Sequence, residues 1–296
     1  MPQVKLDQGR IAYEQAGPPA AESSAPPVVF VHGFLVSGTL WSGVAEALAA
    51  AGITSYAPTL PLGSHTTAMD PGADLSPRGV ARLVIAFLER LDLRDVTLVG
   101  NDSGGAITQF VLDTDASRVG RVVLTNCDAF TNFPPAPFAL LFRIAALPGA
   151  ALPMLTPMRL RALRHSALGF GLLVDGTLDP AQTRAWVDPA LRDAGVRRDV
   201  RAFLRAVDPA ELDDVATRLH RFPGPVLLCW APADRFFTIE TARRLQEVFA
   251  DARLVEVPDS KTFVPLDQPE RVAAEIAAFS GVSRTSTPSA VGLANR

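Results

Sequence analysis

The chain has 296 residues, of which 48% are apolar and 20% charged, and its formal net charge is −3. That is enough apolar chain for one large core, or for one domain with a sizeable insertion. The near-neutral balance offers no basic face for nucleic acid and no polybasic anchor for a membrane, so the expected partner is a small molecule.

The N-terminal MPQVKLDQGR lacks the apolar run of a secretory signal. Val4–Leu6 and Ile11–Gln15 are predicted as a short antiparallel entry around Asp7-Gln8-Gly9. Val28-Val29-Phe30-Val31 is a continuous apolar run, the mark of a strand buried on both faces. Trp41 to Ala51 has helical spacing and stops at Gly52, and Thr54–Ala57 is a second buried strand. Ser76 to Leu91 is an amphipathic helix, with Ser76 as its N-cap and Pro77 at its first position. A strand at Val96–Val99, a helix at Gly104 to Leu112 and a strand at Arg121–Leu124 follow. From about Phe130 to Phe222 only helical and loop segments are expected, with helical composition in Leu160–Leu168, Pro180–Asp188 and Val200–Leu204. The alternation returns with strand Val226–Trp230, helix Thr238–Phe249, strand Leu254–Val257 and helix Glu270–Phe279. Such alternation predicts an α/β protein with a parallel sheet and helices on both faces. Phe138 to Leu155 is the longest apolar stretch, but Arg143, Pro148, Gly149 and Pro153 interrupt it, so no membrane span is expected and the location is read as cytoplasmic. Cys127 and Cys229 lie in separate apolar runs and are read as buried free thiols.

The segment Leu98-Val99-Gly100-Asn101-Asp102-Ser103-Gly104-Gly105 joins a buried strand to a helix. Small residues two places either side of a central one permit a sharp strained turn that lifts the central side chain over a helix N-terminus. With Gly100 and Gly104 as flanks, that residue is Asp102. Centring on Ser103 is the lesser alternative, and a glycine-rich link with an N-capping aspartate is the plain structural one. His32-Gly33-Phe34 follows the strand that ends at Val31. An elbow and a loop of this kind pool their backbone N–H groups into an oxyanion hole, here those of Phe34 and Ser103. His32 is read as bracing the loop.

Val28–Phe34, Gly100–Gly105, the strand Val226–Trp230 with Asp234, and Asp259–Pro269 together resemble α/β-hydrolases of the branch that includes haloalkane dehalogenases and epoxide hydrolases. The resemblance implies an α/β-hydrolase fold: a mostly parallel central sheet flanked by helices, with a helical cap inserted after the sixth strand. The core then comprises residues 1–129 and 223–280, the cap 130–222, and a disordered tail 281–296. A monomer or homodimer is the ordinary state for such a fold, and no cofactor or metal is expected. In this branch the elbow aspartate attacks carbon to form an ester, and a histidine backed by an acid activates the water that cleaves it. A carboxylate suits the first step, since it is ionised at neutral pH without a base.

The resemblance places the acid at Asp234, with Asp128 as the alternative. The histidine's place is taken by Thr262, whose hydroxyl is no general base at neutral pH. Among the four histidines, His65 is the candidate substitute, while His165 and His220 are read as surface residues of the cap. Haloalkane dehalogenases hold halide with a Trp after the nucleophile and often an Asn after His-Gly; here Ser103 and Phe34 stand there. Epoxide hydrolases use cap tyrosines, whereas Tyr13 and Tyr56 both lie outside the cap. Phe130, Phe133, Phe138, Phe142, Met154, Met158, Phe170 and Trp186 predict an apolar pocket, about half of them packing the cap onto the core. Arg143 is read as a surface charge. Three functions follow: covalent hydrolysis of an epoxide, halide or ester-like bond in a small hydrophobic substrate through Asp102; a non-hydrolytic elimination, isomerisation or cyclisation with Asp102 as base or electrostatic group; or ligand binding by a degenerate hydrolase.

Overall fold

The computed structural model describes residues 1–281, and the expected tail beyond Gly281 lies outside the described residues. The strands are β1 (Gln3–Leu6), β2 (Gly9–Ala16), β3 (Val28–Val31), β4 (Ser55–Pro58), β5 (Val96–Asp102), β6 (Val119–Cys127), β7 (Val226–Trp230) and β8 (Ala252–Glu256). They form one eight-stranded sheet in the order β1-β2-β4-β3-β5-β6-β7-β8. The β1–β2 and β2–β4 pairs are antiparallel, and every pair from β4 through β8 is parallel. This is the architecture the alternation predicts, and the all-buried Val28–Val31 lies near its centre.

Helices outside the insertion are α1 (Ser42–Ala50), α2 (Pro77–Arg90) and α3 (Ser103–Thr114). The inserted helices are α4 (Ala136–Ala145), α5 (Ala151–Leu155), α6 (Arg161–Arg164), α7 (Pro180–Arg192), α8 (Ala194–Ala206) and α9 (Pro209–Ala216). After β7 come α10 (Ile239–Val248), α11 (Val264–Asp267) and α12 (Pro269–Phe279). Ser76 accepts from the Gly79 N–H and Pro77 opens α2, as the capping rules require. One face of the sheet packs Val80, Phe87, Phe110 and Leu245 from α2, α3 and α10. The other packs Trp41, Leu48 and Ile276, with Phe30 stacked 4.7 Å from Trp41. Both cysteines are buried and free.

The insertion between β6 and β7 differs from the expected helix boundaries. Leu160–Leu168 contains only the single turn of α6. Ser166 there donates to the Leu163 carbonyl and accepts from Leu168 N–H, a local alternative to helix continuation. Conversely, α8 starts well before Val200, because Asp193 caps it by accepting from the Gly195 and Val196 N–H groups. Helices α4, α5 and α9 are additional. Large apolar side chains left exposed are concentrated here: apart from Met1, those among the described residues all fall between Leu140 and Leu172. No helix of the described residues is long and apolar enough to cross a membrane.

Candidate active site

Register sets the geometry. Val31 pairs with Gly100, which brings the His32–Phe34 loop level with the end of β5. Asp102 then closes β5 at φ 54° and ψ −134°, and α3 starts at the next residue. A non-glycine residue held there costs about 1–3 kcal/mol, tolerated where the surroundings over-determine the conformation. The surroundings demand small neighbours: a Cβ on Gly104 would collide with the Val31 carbonyl, and one on Gly33 with the Asp102 carboxylate. Phe34 N–H donates to Asp102 Oδ2 at 3.2 Å, and the Ser103 N–H also serves this carboxylate. The two expected oxyanion donors therefore both serve the Asp102 carboxylate. Burial is the main cause pushing the Asp102 carboxyl up to about 7, against those two donors and with the charge of Asp234 adding to the rise.

Asp234, after β7, is held by four donors. Its Oδ1 accepts from the Phe236 N–H at 2.8 Å and the Phe237 N–H at 3.3 Å. Its Oδ2 accepts from Asn126 Nδ2 at 3.0 Å and from the Thr262 hydroxyl at 2.9 Å. Burial raises its carboxyl pKa while those donors lower it, and four donors on two oxygens suit the ionised form. Thr262 is fully buried, and its hydroxyl proton points at Asp234. It is anchored from the other side, where Asn101 Nδ2 donates to its carbonyl at 2.6 Å and to Thr125 Oγ1 at 2.8 Å. Asn101 and Asn126 were not singled out from the sequence. The available signal was an amide in otherwise apolar strand ends, where a buried polar group needs several partners.

Asp128 lies one residue past Cys127, which pairs with Asp102 across β5 and β6. Its N–H donates to the Asp102 carbonyl at 3.3 Å, and Gln109 Nε2 donates to its own carbonyl at 2.8 Å. It does not reach Thr262's loop as an alternative acid. The side chain is 1% exposed, and neither carboxyl oxygen has a partner of ordinary hydrogen-bond geometry among the described residues. The Ser103 side chain is near enough to pull its pKa down slightly, but burial first and the charge of Asp102 second push it well above the usual carboxylate range. Between these neighbours the charge belongs on Asp102, which has the backbone donors, and the proton on Asp128, which has none.

The remaining candidates separate. His32 is fully buried; its Nδ1 bonds the Gly33 carbonyl at 2.8 Å and its Nε2 accepts from Leu60 N–H at 2.8 Å. Burial lowers its pKa to about 4, consistent with a neutral brace. His65 is not beside Asp102. Its Nδ1 accepts from Gly63 N–H at 3.3 Å and its Nε2 meets Asp199 Oδ2 of α8 at 3.2 Å, so it straps the insertion to the loop after β4. Phe133 packs on Phe110 in the core, and Trp186 packs against Phe170 and Phe263 and donates to Thr39 Oγ1; neither lines the cavity. Phe130 also belongs to the core, under the Arg244 guanidinium. His165 is half-buried rather than solvated, bonded to Thr183 at 2.8 Å, and the neighbouring Arg164 is buried with its guanidinium on backbone carbonyls. His220 and Arg143 are exposed.

Over Asp102 lies a cavity of about 290 Å³. Phe34, Phe138, Phe142, Met154, Met158 and Phe170 line it, together with Phe236 and Phe237 from the loop that holds Asp234. Its polar side chains among the described residues are Asp102, Ser103 and Asp128, and no histidine reaches it. Leu141 and Leu168 link the lining to the exposed apolar surface of the insertion. No group of three or more potential ligands among the described residues is placed to hold a metal ion.

Residues 28–275 match the alpha/beta hydrolase family. Haloalkane dehalogenase 2 of Mycobacterium tuberculosis is 28% identical over 276 residues, 91% of each chain. Esterase/lipase 3 of Mycoplasma pneumoniae is 30% identical over 130 residues, 44% of this chain and 45% of that one. The solved haloalkane dehalogenase DatA of Agrobacterium tumefaciens superposes with a TM-score of 0.75 at 22% identity, covering 95% of this chain and 96% of that one. The family match takes in both the elbow and the loop that carries Thr262, and the chain belongs to the alpha/beta hydrolase family.

Proposed function

We propose that this protein is a hydrolase that attacks a carbon of a small hydrophobic electrophile with Asp102, forming an ester on the enzyme. The observation that carries this reading is the Asp102 carboxylate itself: Oδ2 rests on the Phe34 N–H, at the floor of an apolar cavity. The Phe34 and Ser103 N–H groups hold the carboxylate in place for attack, and they stand ready for the oxyanion when the ester is later cleaved. The apolar lining favours an uncharged substrate and keeps bulk water from the carboxylate. Residues 130–222 serve as the cap over this site, and Asp234 is a positioning residue for the loop of Thr262. Dehalogenase and esterase relatives support a hydrolytic role at the family level.

The test is intact-mass and peptide mass analysis after incubation with alkyl halides, epoxides and activated esters. An adduct on Asp102 is expected, and its absence together with no turnover over the panel overturns the covalent reading. Asp102's pKa near 7 favours one competitor, in which it acts as a base for a non-hydrolytic step. That competitor predicts exchange of substrate C–H protons with deuterated water and no adduct.

A further inference from the structure

The site has a nucleophile but, at Thr262, no group able to deprotonate water. It also lacks the Trp or Tyr donor that would steady a leaving group. One polar side chain in the cavity is unaccounted for. Asp128 is 1% exposed, lines the cavity beside Asp102 and Ser103, and offers two carboxyl oxygens without ordinary hydrogen-bond partners among the described residues. A buried polar group left this way costs about 1–3 kcal/mol, and an ionised one more, so the carboxyl persists there as a neutral acid. A neutral carboxyl group in an apolar pocket is a hydrogen-bond donor awaiting an acceptor. The backbone holds it in place: its N–H is on the Asp102 carbonyl and its carbonyl on Gln109.

We propose that Asp128 is the acid–base partner of Asp102, and that the pair selects epoxides over alkyl halides. The inference rests on covalent attack by Asp102. In the first step an Asp102 oxygen bonds to an epoxide carbon, the ring C–O bond breaks, and the released electron pair takes the Asp128 proton. The products are an ester on Asp102, a neighbouring hydroxyl group and an Asp128 carboxylate. In the second step that carboxylate takes a proton from water as the water oxygen bonds to the ester carbonyl carbon. The oxyanion formed lies on the N–H groups of Phe34 and Ser103. Its collapse expels the substrate oxygen, which takes the proton of the new Asp102 carboxyl group. Epoxide and water have become a diol, Asp102 is again a carboxylate and Asp128 again an acid.

One carboxyl group thereby serves as acid and then as base, the division of labour known for paired carboxylates in retaining glycoside hydrolysis. A halide departs without a proton. Attack on an alkyl halide therefore leaves Asp128 protonated, and burial, the larger cause of its raised pKa, persists after Asp102 is esterified. The halide-derived ester has no base to release it.

Hexene oxide and hexyl bromide make a matched pair of probes, followed by intact mass, diol formation and bromide release. The wild-type protein is expected to turn over the epoxide repeatedly. With the bromide it should release one equivalent of bromide and keep a hexyl ester on Asp102. Asp128→Asn should lower the ratio of epoxide to bromide attack at least about 100-fold, the scale of general acid catalysis, and should retain the epoxide-derived ester. The wild-type pH profile gives an independent readout: bromide attack rises through about pH 7 to a plateau as Asp102 ionises, whereas epoxide attack falls again at higher pH as Asp128 loses its proton. An unchanged ratio in Asp128→Asn, equal release of both wild-type esters, or matching pH profiles each overturn the assignment while leaving covalent attack intact. No adduct and no turnover with either probe overturns both.

Discussion

The ends of β6 and β7 each carry a buried aspartate, and their surroundings treat the two oppositely. Asp234 receives four donors, from Phe236, Phe237, Asn126 and Thr262. Asp128 receives none of ordinary geometry among the described residues, and it is among the residues that line the cavity. Burial raises both pKa values, but at Asp234 several donors counter it and at Asp128 only the Ser103 side chain does. A fully bonded carboxylate is a structural fixture, whereas an orphaned one keeps its proton available for chemistry. Within the family pattern, an acid at the Asp234 position orients a histidine. Here it orients a threonine, and the proton-handling role falls to the other strand end.

The strongest way to break that comparison is to restore a base at the Asp234 end. In Thr262→His, the imidazole would take the place of a hydroxyl already bonded to Asp234. The expected result is release of the hexyl ester that wild type retains, faster by about 100-fold or more, the range of a positioned general base. Continued retention by a folded Thr262→His variant would mean that Asp234 no longer supports a base.

The Asp128 end can be sharpened through pH. A carboxyl whose folded pKa is raised binds more protons folded than unfolded between the two values. Stability therefore falls as pH rises above about 4, the unfolded value. Asp128 lies well above that value and Asp102 at about 7, so both contribute in this direction. Asp128→Asn removes the first contribution and leaves the second, since burial and the charge of Asp234 raise Asp102. Urea denaturation at several pH values is expected to show the variant gaining stability on wild type steadily from about pH 4 upward. A difference that is flat with pH would place an ordinary carboxylate at Asp128.

Asp234→Ala tests the opposite end. It strands the Phe236 and Phe237 N–H groups and the Thr262 hydroxyl, all buried or nearly so, while Asn126 Nδ2 keeps the Ala231 and Phe237 carbonyls. A loss of about 3 kcal/mol is expected in the same urea measurement, nearly independent of substrate. A loss below about 1 kcal/mol would show that the donors had found other partners.

The sheet was legible because strands buried on both faces read as unbroken apolar runs, as in Val28–Val31 and Val226–Trp230. The elbow was legible because steric limits at Gly33 and Gly104 leave a mark in sequence. The insertion was less so: its helix ends depend on local side-chain bonds such as those of Asp193 and Ser166, which periodicity does not register. Phe133 and Trp186 resembled pocket residues because an aromatic side chain packs equally well into a core or a cavity wall. The state of Asp128 was beyond sequence altogether, since it is defined by which donors fail to reach it.

A last prediction concerns the third place from which a base could have come. His65 is buried, but both ring nitrogens are engaged away from the cavity, by Gly63 and by Asp199. Asp199 also accepts from Met69 N–H at 2.7 Å, so the same carboxylate ties α8 to the loop that carries His65. His65→Ala removes one of several ties and opens a small gap. The expected cost is about 1–2 kcal/mol of stability, read by thermal melting, with hexene oxide turnover and its pH profile unchanged. Loss of the ester-release step alone, at unchanged attack and without loss of stability, would move the base from the end of β6 to the loop after β4. The contrast between Asp128 and Asp234 would then describe only stability, since the proton taken from water would pass through an imidazole that the folded chain holds outside the cavity.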